Sequence, residues 1–381
     1  HLLRAAVDAA AEQITGEGEF ALKIEEIRTY HVSKPLKNKL RNSLYTIENM
    51  EHILVEIDAG GYTGIGMVYS VHWEQSAAMK VMIDAFAKRM ISQDSDLIQA
   101  HLKNAVIING ASGPTGMPTS AWAAFDIALW DLLAQKAGLP LYKMLGACRS
   151  EVPVYASGGW LIPVDELVKE ALDYKEQGYK CYKMKLGCKD IREDLERVRR
   201  VKEALGDEVE LYVDVNQGWS VKKSIMIAPM LRDLGVTYLE EPTEAQDYAG
   251  QADIRANTDI RIVAGESLSS PVEHFELMRN KGVDTLNPDL QKCGGVTNFM
   301  QVCAMAAAFR IPVTSHTLTE VSSHLMAAAP TATYAEYIPD WWDGIYDHKP
   351  AIRDGMIYLD DTPGIGYRFN HDYIKEHLTK R

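Results

Sequence analysis

Asp214, Glu240 and Glu266 follow one another at intervals of 26 residues, and each closes a short apolar run: LYVD, TYLE and IVAGE. An apolar run, a helix-length stretch and a further run make the βα unit of a parallel sheet. The interval therefore puts three carboxylates at equivalent ends of three successive strands, where such sheets gather their ligands. Three convergent carboxylates repel one another unless a cation sits among them, and an all-oxygen donor set suits a hard ion such as Mg²⁺. A metal-dependent enzyme is expected, on a fold that brings these strand ends to one rim.

The rhythm extends beyond the three carboxylates. From Val152 onward, eight apolar runs alternate with amphipathic stretches: VPVYAS, CYKMKLG, LYVDVNQ, TYLEEP, RIVAGE, DTLNPDL, IPVTSH and TYAEYI. Eight such runs make a β/α barrel. Before them, the extended segments IEEIRTYHV, HILVEIDA and TGIGMVYS precede three helical stretches, the pattern of an α+β domain. The predicted division is an N-terminal extension over 1–20, an α+β domain over 21–148, the barrel over 149–348 and a turn-rich C-terminal segment over 349–381 returning toward the first domain. Arg4, Asp8 and Glu12 interrupt the extension, so no secretion signal is expected there.

Bulk properties exclude several classes. The 381 residues suffice for a barrel and a smaller domain, and a net charge of −13 opposes nucleic acid or an anionic membrane as partner. Cys148, Cys181, Cys188, Cys293 and Cys303 contain no CxxC pair, which argues for reduced thiols in the cytoplasm rather than disulfides or zinc. No apolar stretch approaches the roughly 20 residues of a membrane span. Gly61, Gly64 and Gly66 sit in a hairpin with no helix directly after them, so they are not a dinucleotide fingerprint.

Other residues at the run ends carry chemistry. Strand alternation points Lys183 and Lys185 to one face, where like charge and a nearby cation should lower the lysine pKa toward that of a base. Solvated lysines are the commoner fate of such a pair, but its place just before Asp214 favours the site. Asp289 ends the sixth run and His316 the seventh, so a carboxylate stands beside an imidazole and fixes its tautomer. Glu336 ends the eighth run and can donate to a substrate oxygen if protonated. Asn216 shares the face of Asp214, whereas Glu241 points away from that of Glu240. His274 and His324 are read as packed histidines, and Trp341 and Trp342 as aromatic packing with the option of walling a pocket.

With Lys183, Lys185, Asp214, Glu240, Glu266, Asp289, His316 and Glu336 in this order, the chain resembles the enolase superfamily, and within it the mandelate racemase subgroup. The motifs are KMK, DVNQGW, EEPT, AGES, PDLQKCGGVT, TSHTLTEVSSHL and AAAPTATYAE. The resemblance implies an α/β fold, a modified TIM barrel of the (β/α)₇β type with an N-terminal α+β capping domain. It further implies one Mg²⁺ on Asp214, Glu240 and Glu266, with Lys185 and the His316/Asp289 dyad as two bases. Lys183 and Glu336 would contact the substrate carboxylate or its enediolate, and Ser157 matches a substrate-contacting serine, one residue out of the usual spacing.

The implied reaction is abstraction of the proton alpha to a carboxylate. Racemisation or epimerisation of a 2-hydroxy acid is read slightly ahead of acid-sugar dehydration. A Schiff-base aldolase using Lys185 and a non-catalytic relative stand behind both. Specificity is expected from a basic stretch of the cap, Lys34, Lys37, Lys39 and Arg41, with Tyr45, His72 and Trp73, facing a polyhydroxylated acid or diacid. Arg41 and His72 are thus candidate substrate contacts beside Ser157 and Asn216. The expected partners are a small carboxylate and, from the resemblance, further copies of the chain.

Overall fold

The computed structural model describes residues 22–111 and 113–379. The first domain is built on an antiparallel sheet of β1 (Ile24–Arg41), β2 (Thr46–Ala59) and β3 (Tyr62–Ser70). Gly60 and Gly61 join β2 to β3, and both have positive φ, 57° and 81°, the twist a two-residue hairpin requires. Helices α1 (Trp73–Met90), α2 (Ile98–Asn109) and α3 (Met117–Ala137) follow. The alanine-rich α3 lies directly on β3, and Gly64 and Gly66 permit the approach. A Cβ on Gly64 would stand 2.1 Å from the Ala128 carbonyl oxygen, and one on Gly66 would stand 1.9 Å from that of Ala124. These glycines serve helix–sheet packing.

After a short helix α4 (Leu141–Met144), strands and helices alternate: β4 (Glu151–Ser157), α5 (Val164–Glu176), β5 (Cys181–Lys185), α6 (Ile191–Leu205), β6 (Glu210–Asp214), α7 (Val221–Asp233), β7 (Val236–Glu240), α8 (Tyr248–Ala256), β8 (Arg261–Ala264), α9 (Pro271–Arg279), β9 (Thr285–Leu286) and α10 (Val296–Phe309). The seventh run is held by single bridges, Val313 to Leu286 and Ala332 and His316 to Asp289, and leads into α11 (Thr319–Ala328). The last strand, β10 (Ala335–Tyr337), pairs in parallel with β4 and closes the ring. The result is a (β/α)₇β barrel.

Ser220, Asp247 and Ser270 cap α7, α8 and α9 with their side chains, so each helix begins within eight residues of its carboxylate. This repeated strand, cap and helix produces the 26-residue interval. Alternation layers the interior. Tyr212 and Tyr238 pack with Tyr155 and Cys181 low in the barrel, and two residues further along their strands stand Asp214, Glu240, Ser157 and Lys183. Aromatic rings floor the site, and charge lines its rim.

Past the barrel, β11 (Ile352–Arg353) and β12 (Met356–Tyr358) form a hairpin whose second strand pairs antiparallel with β4. The chain then runs back along the first domain through α12 (His371–His377), where Leu378 bridges Val32 and Thr379 N donates to the His31 carbonyl at 2.9 Å. Among the described residues no helix is long and apolar enough to cross a membrane. The five cysteines are free.

Candidate active site

Successive barrel strands bring their charged groups to one rim, β5 contributing two lysines. Ligand atoms of Asp214, Glu240 and Glu266 lie within 4.8 Å of one another, and all three residues are buried. At one end of this arc Lys185 forms an ion pair with Asp214, its Nζ standing 5.6 Å from the Trp160 ring centre. Lys183 Nζ lies 2.7 Å from Glu240 Oε1 and 2.7 Å from Glu336 Oε1. It also donates to the Tyr155 hydroxyl at 3.3 Å. Asn216 donates to Asp214 through its backbone N at 2.7 Å and through Nδ2 at 3.0 Å.

At the other end, His316 Nδ1 is 2.6 Å from Asp289 Oδ2, and its Nε2 is 3.3 Å from Glu266 Oε2. Thr317 N donates to Glu336 Oε2 at 2.9 Å. The two candidate bases therefore flank the carboxylate arc, Lys185 beside its first member and His316 beside its third.

The donor set fits a hard divalent cation. Burial holds Glu240 well above the usual carboxylate range against the pull of Lys183, and repulsion from Asp214 adds to the rise. Three anions this close do not share a dry site as free charges. Glu266 Oε2 and Asn216 Oδ1 accept no hydrogen bond from the described residues, so oxygen lone pairs remain at the cluster.

Among the protein's own groups, the carboxylates act against the lowering expected of the lysine pair beside a cation. Burial is the largest influence on Lys185 and lowers its pKa, but Asp214, Glu266 and Glu240 together raise it on balance; Lys183, also lowered most by burial, is raised on balance by Glu240 and Glu336 with further help from its surroundings. Opposite charges outweigh the like charge of the lysine pair. Glu336 was expected to be protonated. Burial pushes it up, but Lys183 and then His316 draw it down to about 2, so it is ionised. Burial is the largest influence on both members of the dyad: it lowers His316, but Glu266, Glu336 and Asp289 together raise it on balance, and it raises Asp289, but His316 and Lys292 together lower it on balance.

A cavity of about 410 Å³ lies between the rim and the first domain. Ser157, Lys185, Asn216, Glu266 and His316 reach it from the barrel, and Asn42, Tyr45, His72 and Gln75 reach it from the first domain. Lys183, Asp289 and Glu336 are buried and stand behind this wall, as do Asp214 and Glu240. The basic stretch is also corrected: Lys34, Lys37, Lys39 and Arg41 do not line the cavity. They sit on the outer part of β1, where Arg41 is exposed, Lys39 pairs with Glu48 and Lys34 donates to the Asp343 carbonyl at 3.2 Å.

Trp73 stacks on His31 at 4.6 Å, outside the cavity, while Trp341 walls it and Trp342 packs on Tyr69. His274 and His324 are hydrogen-bonded core residues, as expected. Glu241 lies outside the carboxylate trio and accepts from Gln217 Nε2 at 3.1 Å. Lys292, Gln291 and Tyr69 line the cavity without having been singled out in the sequence. For Lys292 the only available signal was its place three residues after Asp289.

Residues 24–146 match the family model of the mandelate racemase/muconate lactonizing enzyme N-terminal domain, and residues 166–373 match that of the enolase C-terminal domain-like family. The chain belongs to the enolase superfamily, in its mandelate racemase/muconate lactonizing enzyme subgroup. Within the superfamily it is 33% identical over 320 residues to the L-talarate/galactarate dehydratase of Salmonella typhimurium, covering 83% of this chain and 79% of that protein. It is also 33% identical over 347 residues to the 3,6-anhydro-alpha-L-galactonate cycloisomerase of Streptomyces coelicolor, covering 90% of this chain and 96% of that one. The crystal structure of the Salmonella dehydratase liganded with Mg and L-lyxarohydroxamate superposes with a TM-score of 0.91 at 29% identity, over 95% of this chain and 94% of that one. Enolase-superfamily members use Mg²⁺, and relatives of this chain include both isomerases and dehydratases.

Proposed function

We propose that the chain removes the proton alpha to the carboxylate of a polyhydroxylated acid and that the resulting enediolate expels a β-hydroxyl, an acid-sugar dehydration. The observation that carries the proton abstraction is the entry of Lys185 and His316 into one cavity from opposite ends of the carboxylate arc. Asp214, Glu240 and Glu266 would hold the Mg²⁺, which when bound stabilises negative charge developing on the substrate carboxylate.

The protein groups then divide the work. Lys185 Nζ and His316 Nε2 serve the two faces of the α-carbon, each taking or returning a proton. Asp289 at Nδ1 fixes the His316 tautomer and leaves Nε2 toward the cavity. Lys183, donating to Glu240 and close to Glu336, orients those carboxylates from behind. Ser157 and Asn216 are placed to meet polar atoms near the α-carbon. Asn42, Tyr45, His72 and Gln75 offer hydrogen bonds to hydroxyls farther along the chain, which supports an acid sugar over an aromatic acid.

Racemisation is the second reading, favoured by the presence of a base on each side. Schiff-base chemistry leaves the buried carboxylate trio without a task. The free cysteines support a reducing, cytoplasmic setting.

Proton NMR in deuterated water, with Mg²⁺ and a library of aldonates and aldarates, tests the reading. Deuterium at the α-carbon and a 2-keto-3-deoxy product are expected for at least one acid. Exchange without loss of water selects racemisation, and absence of both across the library sinks proton abstraction. Lys185→Met and His316→Asn should each abolish exchange mainly on one face, by about 10²- to 10⁴-fold.

A further inference from the structure

We propose that Tyr69, at the end of the capping-domain strand β3, is a positioning residue for the Asp289–His316 base, so that the cap completes one of the two bases. The inference rests on the functional reading above, which takes His316 as a base. It adds a residue and a physical link between the domains that this reading does not require.

Three groups converge on Asp289 Oδ2. His316 Nδ1 lies at 2.6 Å, the Thr317 hydroxyl donates at 3.1 Å and the Tyr69 hydroxyl donates at 3.3 Å. The Tyr69 hydroxyl is also 3.3 Å from Thr317 Oγ1, which makes a closed triangle. Asp289 Oδ1 accepts from Lys292 N at 2.6 Å, so both oxygens are directed. An imidazole points where its carboxylate partner points, and that carboxylate is held by groups of two domains.

The backbone just past His316 needs such a hold. Thr317 and Leu318 both have positive φ, 52° and 46°, a region that residues with side chains rarely occupy, and here two occupy it in succession. Thr317 is retained by its N–H on Glu336 and by its hydroxyl in the triangle. Tyr69 braces that triangle from the far side.

Tyr69 is itself fixed. Its N–H donates to Gln291 Oε1 at 2.7 Å, and Gln291 Nε2 donates back to its carbonyl at 2.9 Å. A side-chain amide thus replaces a neighbouring strand, and it belongs to the residue two places after Asp289. The buried ring packs against Trp341 and Trp342 at 5.9 and 5.1 Å between centroids. Backbone clamp and ring packing leave the hydroxyl one address.

Tyr69→Phe keeps the ring packing and removes only the hydroxyl. The measurement is α-hydrogen exchange in deuterated water for the two epimers of a substrate, with each face assigned by Lys185→Met and His316→Asn. Exchange on the His316 face should fall about 10- to 100-fold. The Lys185 face and KM should stay within about twofold.

Equal loss on both faces would show a general structural role, and a raised KM with kcat retained would show a substrate contact. Either result, or no loss, overturns the proposal. Should Tyr69→Phe fail to fold, Gln291→Leu, which releases the Tyr69 backbone, must give the same face-selective loss or the proposal fails. If the unmodified protein exchanges neither epimer, the functional reading itself has failed and this inference falls with it. Exchange on both faces, unaffected by either variant, fails the inference alone.

Discussion

At the scale of single residues the rim is balanced by charge rather than by solvent. Lys183 is fully buried yet keeps its ammonium because two carboxylates face it, and losing either would leave a buried charge uncompensated. The carboxylate trio is over-supplied with negative charge. Mg²⁺ should therefore raise the melting temperature, by an amount equivalent to about 2.7 kcal/mol at a hundred times its dissociation constant. Glu240→Gln should remove that rise in differential scanning calorimetry, and a rise that survives would show that Glu240 is not a ligand. The sequence revealed Lys183, Lys185, Asp214, Glu240 and Glu266 because a strand's side-chain period is two and each apolar run ends at or near the rim. It did not reveal Tyr69 or Gln291, whose importance arises from a contact across 222 residues of chain. Arg41 failed for a related reason: a basic run has no sidedness until its strand is placed.

At the scale of elements, the strongest constraint is the approach of α3 to β3. Gly66→Ala would set a methyl group against the Ala124 carbonyl, a backbone atom that cannot rotate away. A loss of about 3 kcal/mol is expected in urea unfolding. A loss below about 0.5 kcal/mol would mean that α3 can lift off the sheet without penalty. Helices and long strands were legible from their period, whereas the capping roles of Ser220 before α7 and Ser270 before α9 emerge from the structure. The seventh run was legible as apolar but not as a weakly paired segment. Its His316 end turns into residues of positive φ, and no propensity predicts that.

At the scale of the molecule, Asp126 joins the two domains. From α3 it accepts the Thr297 N–H at 2.9 Å and the Thr297 hydroxyl at 2.7 Å, at the start of α10. Burial pushes its carboxyl up to about 7 despite these bonds. A raised carboxyl favours the folded state fully only below its ordinary pKa of 3.8, and that share of stability is lost as pH climbs toward about 7. Asp126→Asn should therefore reduce the fall in urea midpoint between about pH 4 and about pH 7 relative to the unmodified chain. An unchanged difference would mean that Asp126 stays ionised at the seam. The order of barrel runs was legible because each run ends in recognisable chemistry, whereas the seam was not, since Asp126 lies within an apolar helix and gives no signal.

Ring closure imposes an order on assembly. β4 is made early, yet its parallel neighbour β10 pairs Ala335 with Val154, 181 positions upstream. During vectorial synthesis the growing barrel keeps an open edge until that late strand emerges, and Lys183 lacks Glu336 for the same interval. A nascent chain halted before residue 335 would carry every proposed metal ligand and both proposed bases, but no closed cylinder to hold them in register.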